Sequence, residues 1–181
     1  TASFVVAGVT AWFVMQKREM EANKKALSIA LWLILILAPA QVVIGDFHGL
    51  NTLEHQPTKV AAMEGNWETG TGVPLLLFAW PDQEAQENHF EIKIPKLASF
   101  ILTHDWNGEV PGLKEVAPED QPPVFIVFWA FRVMVAMGML MVLFGLAGLW
   151  LRRKQRYLEC KPFLNGLRVM SLSPFIAVLA G

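Results

Sequence analysis

Two long apolar runs constrain this chain more than any other feature. Ala26–Ile44 carries no charge over nineteen residues and is rich in Leu, Ile and Trp. Val124–Leu151 is longer and carries one charge, Arg132. A bilayer core takes about 20 mainly apolar residues as an α-helix, because hydrocarbon offers no partner to an unpaired backbone group. Both runs therefore predict membrane spans. Two more reach the ends of the sequence: Ala2–Met15, of fourteen residues, and the apolar stretch from Arg168 to Gly181, each too short to cross. The predicted fold is an all-α transmembrane helix bundle of four consecutive spans, the first and last truncated. The chain is expected to be a piece of a larger membrane protein, cut inside a helix at each end. Composition agrees, since 54% of residues are hydrophobic and 17% charged, against about 45–50% and about 25% in soluble domains.

Charge placement predicts orientation, because Lys and Arg collect in short cytoplasmic loops. Lys17, Arg18, Lys24 and Lys25 lie between the first two spans, and Arg152, Arg153, Lys154, Arg156, Lys161 and Arg168 between the last two. The predicted segments are thus a truncated helix at 1–16, a cytoplasmic loop at 17–25, a span at 26–45, an external loop at 46–123, a span at 124–151, a cytoplasmic loop at 152–168 and a truncated helix at 169–181. The external loop holds thirteen Asp or Glu against four Lys, and all four histidines, His48, His55, His89 and His104. Its acidity argues against a nucleic-acid partner. Strand-like alternation at Phe90, Ile92 and Ile94 predicts an ordered segment. The single cysteine, Cys160, excludes an intrachain disulfide or a zinc cluster built from this chain.

Arg132 is the most informative residue, because a charge inside a span costs several kcal/mol unless partnered. It either snorkels to the outer interface or holds an anion there, such as a carboxylate of another helix or a cofactor propionate. Met134, Met137 and Met141 repeat at helical spacing on the same span, where Met commonly fills gaps between helices. A thioether can also be an axial haem ligand, usually opposite a histidine, yet no histidine falls in any predicted span. Gly138, Gly145 and Gly148 permit close approach of another helix or of a flat cofactor. In the external loop, Gln56 to Gly65 predicts one short helix with Pro57 in its first turn and Gly65 as its terminator. Lys59 and Glu64, five apart on it, lie about 140° apart around the axis and are free to meet other groups. They suggest a donor and a proton acceptor lining a site for a polar ring, with Asp46 and Glu54 as a possible extension of the acidic lining.

Several strings together resemble a known family. Gly45-Asp46, Gln56-Pro57-Thr58-Lys59-Val60-Ala61-Ala62-Met63-Glu64, Ile94-Pro95, Pro111-Gly112-Leu113-Lys114-Glu115 and Phe128-Trp129-Ala130-Phe131-Arg132-Val133-Met134 closely resemble subunit I of the cytochrome bd quinol oxidases of bacteria and archaea. The resemblance spans the whole chain in one order. It implies four consecutive helices from the middle of a subunit with about nine, and makes the external loop the family's quinol-binding loop, of the short type.

By this resemblance Met134 matches the axial ligand of the low-spin haem b and Arg132 the arginine beside that haem. Lys59 and Glu64 match residues implicated in quinol binding and oxidation. The implied activity is oxidation of ubiquinol or menaquinol at the outer face of a bacterial or archaeal cytoplasmic membrane. Electrons would pass through the haems b to haem d, where O2 is reduced to water and a proton gradient results. The high-spin haem b and haem d would take ligands outside this chain, and subunit II and membrane lipid are the implied partners. The alternative from another class is a non-redox transporter or receptor subunit whose external loop binds a ligand and whose Arg132 pairs with a helix carboxylate.

Overall fold

The lack of charge after Lys25 lets one helix run far past a single bilayer thickness. In the computed structural model, which describes residues 2–181, helix α1 covers Ala2–Met15 and α2 covers Met20–His55, with Pro39 inside it. Thr1, within the expected first segment, lies outside the described residues. At about 1.5 Å per residue α2 is about 54 Å long, so its C-terminal turns, carrying Asp46, His48 and His55, extend beyond the expected span. Next come α3 (Pro57–Glu64), β1 (Gly70–Thr71), β2 (Leu75–Asp82), β3 (Glu87–Ile94), α4 (Leu97–Thr103), β4 (Glu109–Val110) and two short 3-10 turns. The chain returns through α5 (Val124–Arg153), α6 (Lys161–Met170) and α7 (Ser173–Ala180). Among the described residues, three helical stretches are long and apolar enough to cross a membrane: Met20–His55, Pro118–Arg153 and Lys161–Ala180.

Two units result, one from the residues up to Val43 with Val133–Gly181, the other from Ile44–Arg132. In the first, Phe4, Ala7, Ala11 and Val14 recur every three or four residues along α1 and are buried with Leu27, Leu31 and Ile34 of α2. Phe163, Leu164, Leu167 and Met170 of α6 complete that core. Gly8 is what lets α1 reach α6: a Cβ there would lie 2.5 Å from the Cβ of Ser171 and 2.8 Å from the Leu167 carbonyl oxygen. Arg152 ties α5 to α2, donating to the Ser28 hydroxyl at 2.6 Å.

The last part of this unit differs from the sequence expectation. Residues 152–168 were expected to be a loop, but α6 begins at Lys161. Two of the six charges that predict a loop, Lys161 and Arg168, lie on the exposed side of this amphipathic helix with Asn165, whereas Arg152 and Arg153 end α5 and Lys154 and Arg156 lie in the connection between the two helices. The run after Arg168, expected to fall short of a crossing, is the end of a 20-residue stretch that begins at Lys161.

The second unit is the segment between α2 and α5, with the adjoining turns of both helices. Strands β2 and β3 form an antiparallel hairpin pairing Leu75 with Ile94 and Asp82 with Glu87. The Asp82 carboxylate closes its turn by accepting from the backbone N–H groups of Glu84 and Ala85, both at 3.0 Å, a geometry Asp favours at turns. A second small antiparallel pair joins β1 to β4. Helix α3 fits between these parts: Val60 packs with Leu102 and Val110, and Ala61 and Ala62 with Trp67, Leu113 and Val124. The alternation at Phe90, Ile92 and Ile94 does mark a strand, but these side chains are exposed and cover no core.

Candidate functional site

Helix α3 begins with Pro57 in its first turn, where the missing N–H costs nothing, and stops at Gly65, whose φ of 68° is in the left-handed region. The Asn66 N–H then reaches back to the Ala61 carbonyl at 2.8 Å. This tight ending points Glu64 inward while Lys59 stays exposed.

Glu64 meets Arg132. The guanidinium Nη2 donates to the Glu64 Oε2 at 2.9 Å, with the Arg132 and Glu64 side chains only 12% and 9% exposed. The same guanidinium donates from Nε to the Leu76 carbonyl at 2.7 Å and from Nη1 to the Met63 carbonyl at 3.2 Å. It lies 4.5 Å from the centre of the Phe128 ring. The burial problem posed by Arg132 is thus met by a carboxylate, one of the two kinds of anion expected. Burial pushes the Glu64 carboxyl above the usual carboxylate range, and the charge and hydrogen bond of Arg132 oppose that rise without cancelling it.

A cavity of about 380 Å³ opens beside Glu64. Its wall carries four carboxylates, of Glu64, Glu68, Glu87 and Glu91, against two ammonium groups, of Lys93 and Lys114. Both lysines are engaged, Lys93 with Glu91 at 2.7 Å and Lys114 with Glu68 at 2.9 Å. Asn88 braces the wall: it accepts from the Trp67 indole N–H at 3.0 Å and donates to the Gly65 carbonyl at 2.9 Å. The cavity therefore suits a neutral ring that donates hydroxyl hydrogens.

The other expected members are dispersed. Lys59 is exposed and does not line this cavity. Asp46 faces His104, at 3.3 Å, and Glu54 is exposed. Trp67, Asn88, Lys93 and Lys114 were not singled out in the sequence, and only Lys114 falls within a resembling string.

Helix α5 carries the residues suited to the implied haem. Met134 is half-buried, and Gly138, one turn further on the same face, would place a Cβ with nothing within 4 Å. A Cβ at Gly145 or Gly148 would instead meet Ile34 or Leu31 of α2, at 3.1 and 3.0 Å, so two of the three glycines serve helix packing and Gly138 borders open space, while the Met134 sulfur lies 3.0 Å from where a Cβ at Gly181 would stand. One turn before Arg132, the Trp129 indole N–H is buried with no acceptor among the described residues. Arg132 itself uses three of its five N–H groups. A soft sulfur ligand, space for a flat ring and uncommitted donors for carboxylates each fit a haem. Arg132 and Met134 leave the helix about 160° apart, however, and the guanidinium is directed to α3 and β2.

Comparison with known proteins bears on this arrangement. A family model for cytochrome bd terminal oxidase subunit I matches residues 1–181. Cytochrome bd ubiquinol oxidase subunit 1 of Bacillus subtilis (strain 168) is 32% identical over 191 residues, covering 100% of this chain and 41% of that protein. Cytochrome bd-II ubiquinol oxidase subunit 1 of Escherichia coli (strain K12) is 31% identical over 123 residues, covering 67% of this chain and 24% of that protein. The solved structure of bd oxidase from Geobacillus thermodenitrificans superposes with a TM-score of 0.87 at 29% identity, covering 99% of this chain and 41% of that one. The chain thus spans about two-fifths of the length of the first relative and of the solved structure. With its long apolar helices and the ordered segment between two of them, the chain belongs to the cytochrome bd terminal oxidase subunit I family.

Proposed function

We propose that this chain is part of the haem-bearing subunit of a terminal quinol oxidase. Such a protein oxidises ubiquinol or menaquinol at the outer face of a bacterial or archaeal cytoplasmic membrane and reduces O2 to water. The observation that carries the reading is Glu64: a buried carboxylate with raised proton affinity, held by Arg132 beside a cavity of about 380 Å³, in a chain of this family.

Quinol gives up two protons and two electrons on becoming quinone. Glu64 accepts a hydroxyl proton and passes it to the outer water along the acidic wall formed with Glu68, Glu87 and Glu91. Its raised proton affinity brings it closer to working pH, where a general base is most effective. Lys59, on the exposed face of α3, donates a hydrogen bond to a quinol oxygen during approach. Asn88 fixes the wall by tying Trp67 to Gly65.

Met134 would hold the low-spin haem b, and Arg132, whose guanidinium is directed to α3 and β2, would act on the same group through its charge alone. When bound, that haem supplies a one-electron acceptor whose reduced state a Met ligand favours relative to a second His. A high-spin haem b and haem d, with ligands outside this chain, and subunit II complete the proposed assembly. Protons released outward and taken up from inside for water formation would build the gradient.

Quinol-dependent O2 consumption by the full-length complex carrying Glu64→Ala tests the reading. A fall of about 10²–10⁴-fold, the usual contribution of a positioned base, is expected with the haem bands retained. Unchanged turnover would remove Glu64 from the reaction, and a parent complex without haem bands would end the oxidase reading.

A further inference from the structure

Arg132 sits in a spanning helix, yet it spends three donors on the segment between α2 and α5, one each on Met63, Glu64 and Leu76. A residue serving only a group within the membrane has no need of these bonds. We infer that Arg132 is a positioning residue for quinol oxidation: it holds the Glu64 carboxylate at the cavity wall and sets the pH below which that carboxylate stops accepting a proton. The inference rests on the reading of Glu64 as proton acceptor.

The geometry makes Arg132 a preset partner. Two of its three bonds go to backbone carbonyls, of Leu76 at 2.7 Å and Met63 at 3.2 Å, and the Phe128 ring lies under the guanidinium carbon. The cation is therefore fixed by the fold, and the carboxylate is fixed by the cation. With both side chains nearly out of water, the attraction is only weakly screened.

The surrounding charges leave this task to Arg132. Around the cavity, Glu68 from the segment after α3, Glu87 and Glu91 from β3, Lys93 from β3 and Lys114 from the 3-10 turn face the same space. The two lysines are paired with Glu91 and Glu68, and no histidine lines the cavity among the described residues. Arg132 is the cation bonded to Glu64 among the described residues.

The direction of the effect follows. Burial raises the proton affinity of Glu64 and Arg132 lowers it, so removing Arg132 leaves burial unopposed and raises the affinity further. Proton acceptance requires the ionised carboxylate, so the acid limb of the rate profile must move to higher pH. A proton on Glu64 also leaves the buried Arg132 without its counter-charge, which favours passing the proton onward to the outer water.

The test is kcat/KM for quinol against pH in the full-length complex, for Arg132→Gln, Arg132→Lys and Glu64→Gln. For Arg132→Gln we expect the acid limb to move up by about one pH unit, a tenfold loss at a fixed pH on that limb. Arg132→Lys should shift it in the same direction by less, because an ammonium keeps the charge but not the planar fork. Should Arg132→Gln fail to assemble, the Lys variant decides. An acid limb unmoved in the Arg132 variants, while Glu64→Gln is inactive, would overturn the inference and leave Glu64 in its role. Full turnover in Glu64→Gln would overturn both.

Discussion

Lys59 and Glu64 leave α3 on different faces: Lys59 is exposed, whereas Glu64 is buried against Arg132 at 2.9 Å. A quinol site built from both residues alike therefore does not follow from their spacing. The two should fail differently. Lys59→Ala is expected to raise KM for quinol several-fold with kcat nearly intact, as for a contact made on binding. Glu64→Gln should lower kcat, and steady-state kinetics on the same membranes distinguishes them. A Lys59→Ala complex that loses kcat with KM unchanged would contradict the division.

Gly65 ends α3 with φ at 68°, and a Cβ there would crowd the Phe128 ring at 3.1 and 3.2 Å. Gly65→Ala should therefore destabilise the unit formed by Ile44–Arg132 by about 1–2 kcal/mol from the left-handed backbone alone, with crowding added. The thermal inactivation midpoint of quinol oxidation should fall. A variant as heat-stable as the parent would show that α3 can end another way.

Asn88 is the sole acceptor of the Trp67 indole N–H among the described residues. Asn88→Ala leaves that buried donor unpaired, at a cost of about 1–3 kcal/mol, and frees the wall of the cavity near Gly65. We expect lower thermal stability together with weaker quinol binding, whereas the haem spectrum should be unaffected. Selective loss of a haem band would place Asn88 in another role.

Local chemistry made some of this legible in the sequence. Pro57 and Gly65 bound α3 at both ends, and uncharged runs reveal spans because hydrocarbon tolerates no unpaired backbone. The alternation at Phe90, Ile92 and Ile94 reveals a strand, but Phe90 is 83% exposed, since a period of two does not tell which surface covers a face. Helix α6 was hidden because its charges and its apolar residues alternate as an amphipathic face does, and the charges weighed toward a loop. That Arg132 requires an anion was readable; that the anion is Glu64, 68 residues away, was not. Asn88 and Lys93 carry no local signal and acquire meaning only when the hairpin folds beside α3.

The reduced-minus-oxidised absorption spectrum of the full-length complex, parent against Met134→Leu, tests the central claim most directly. Leu preserves the apolar bulk and removes the sulfur, so the account predicts selective loss or conversion of the low-spin haem b band, with the other haem bands retained. A Met134→Leu complex whose low-spin band is unchanged in position and amplitude would contradict it.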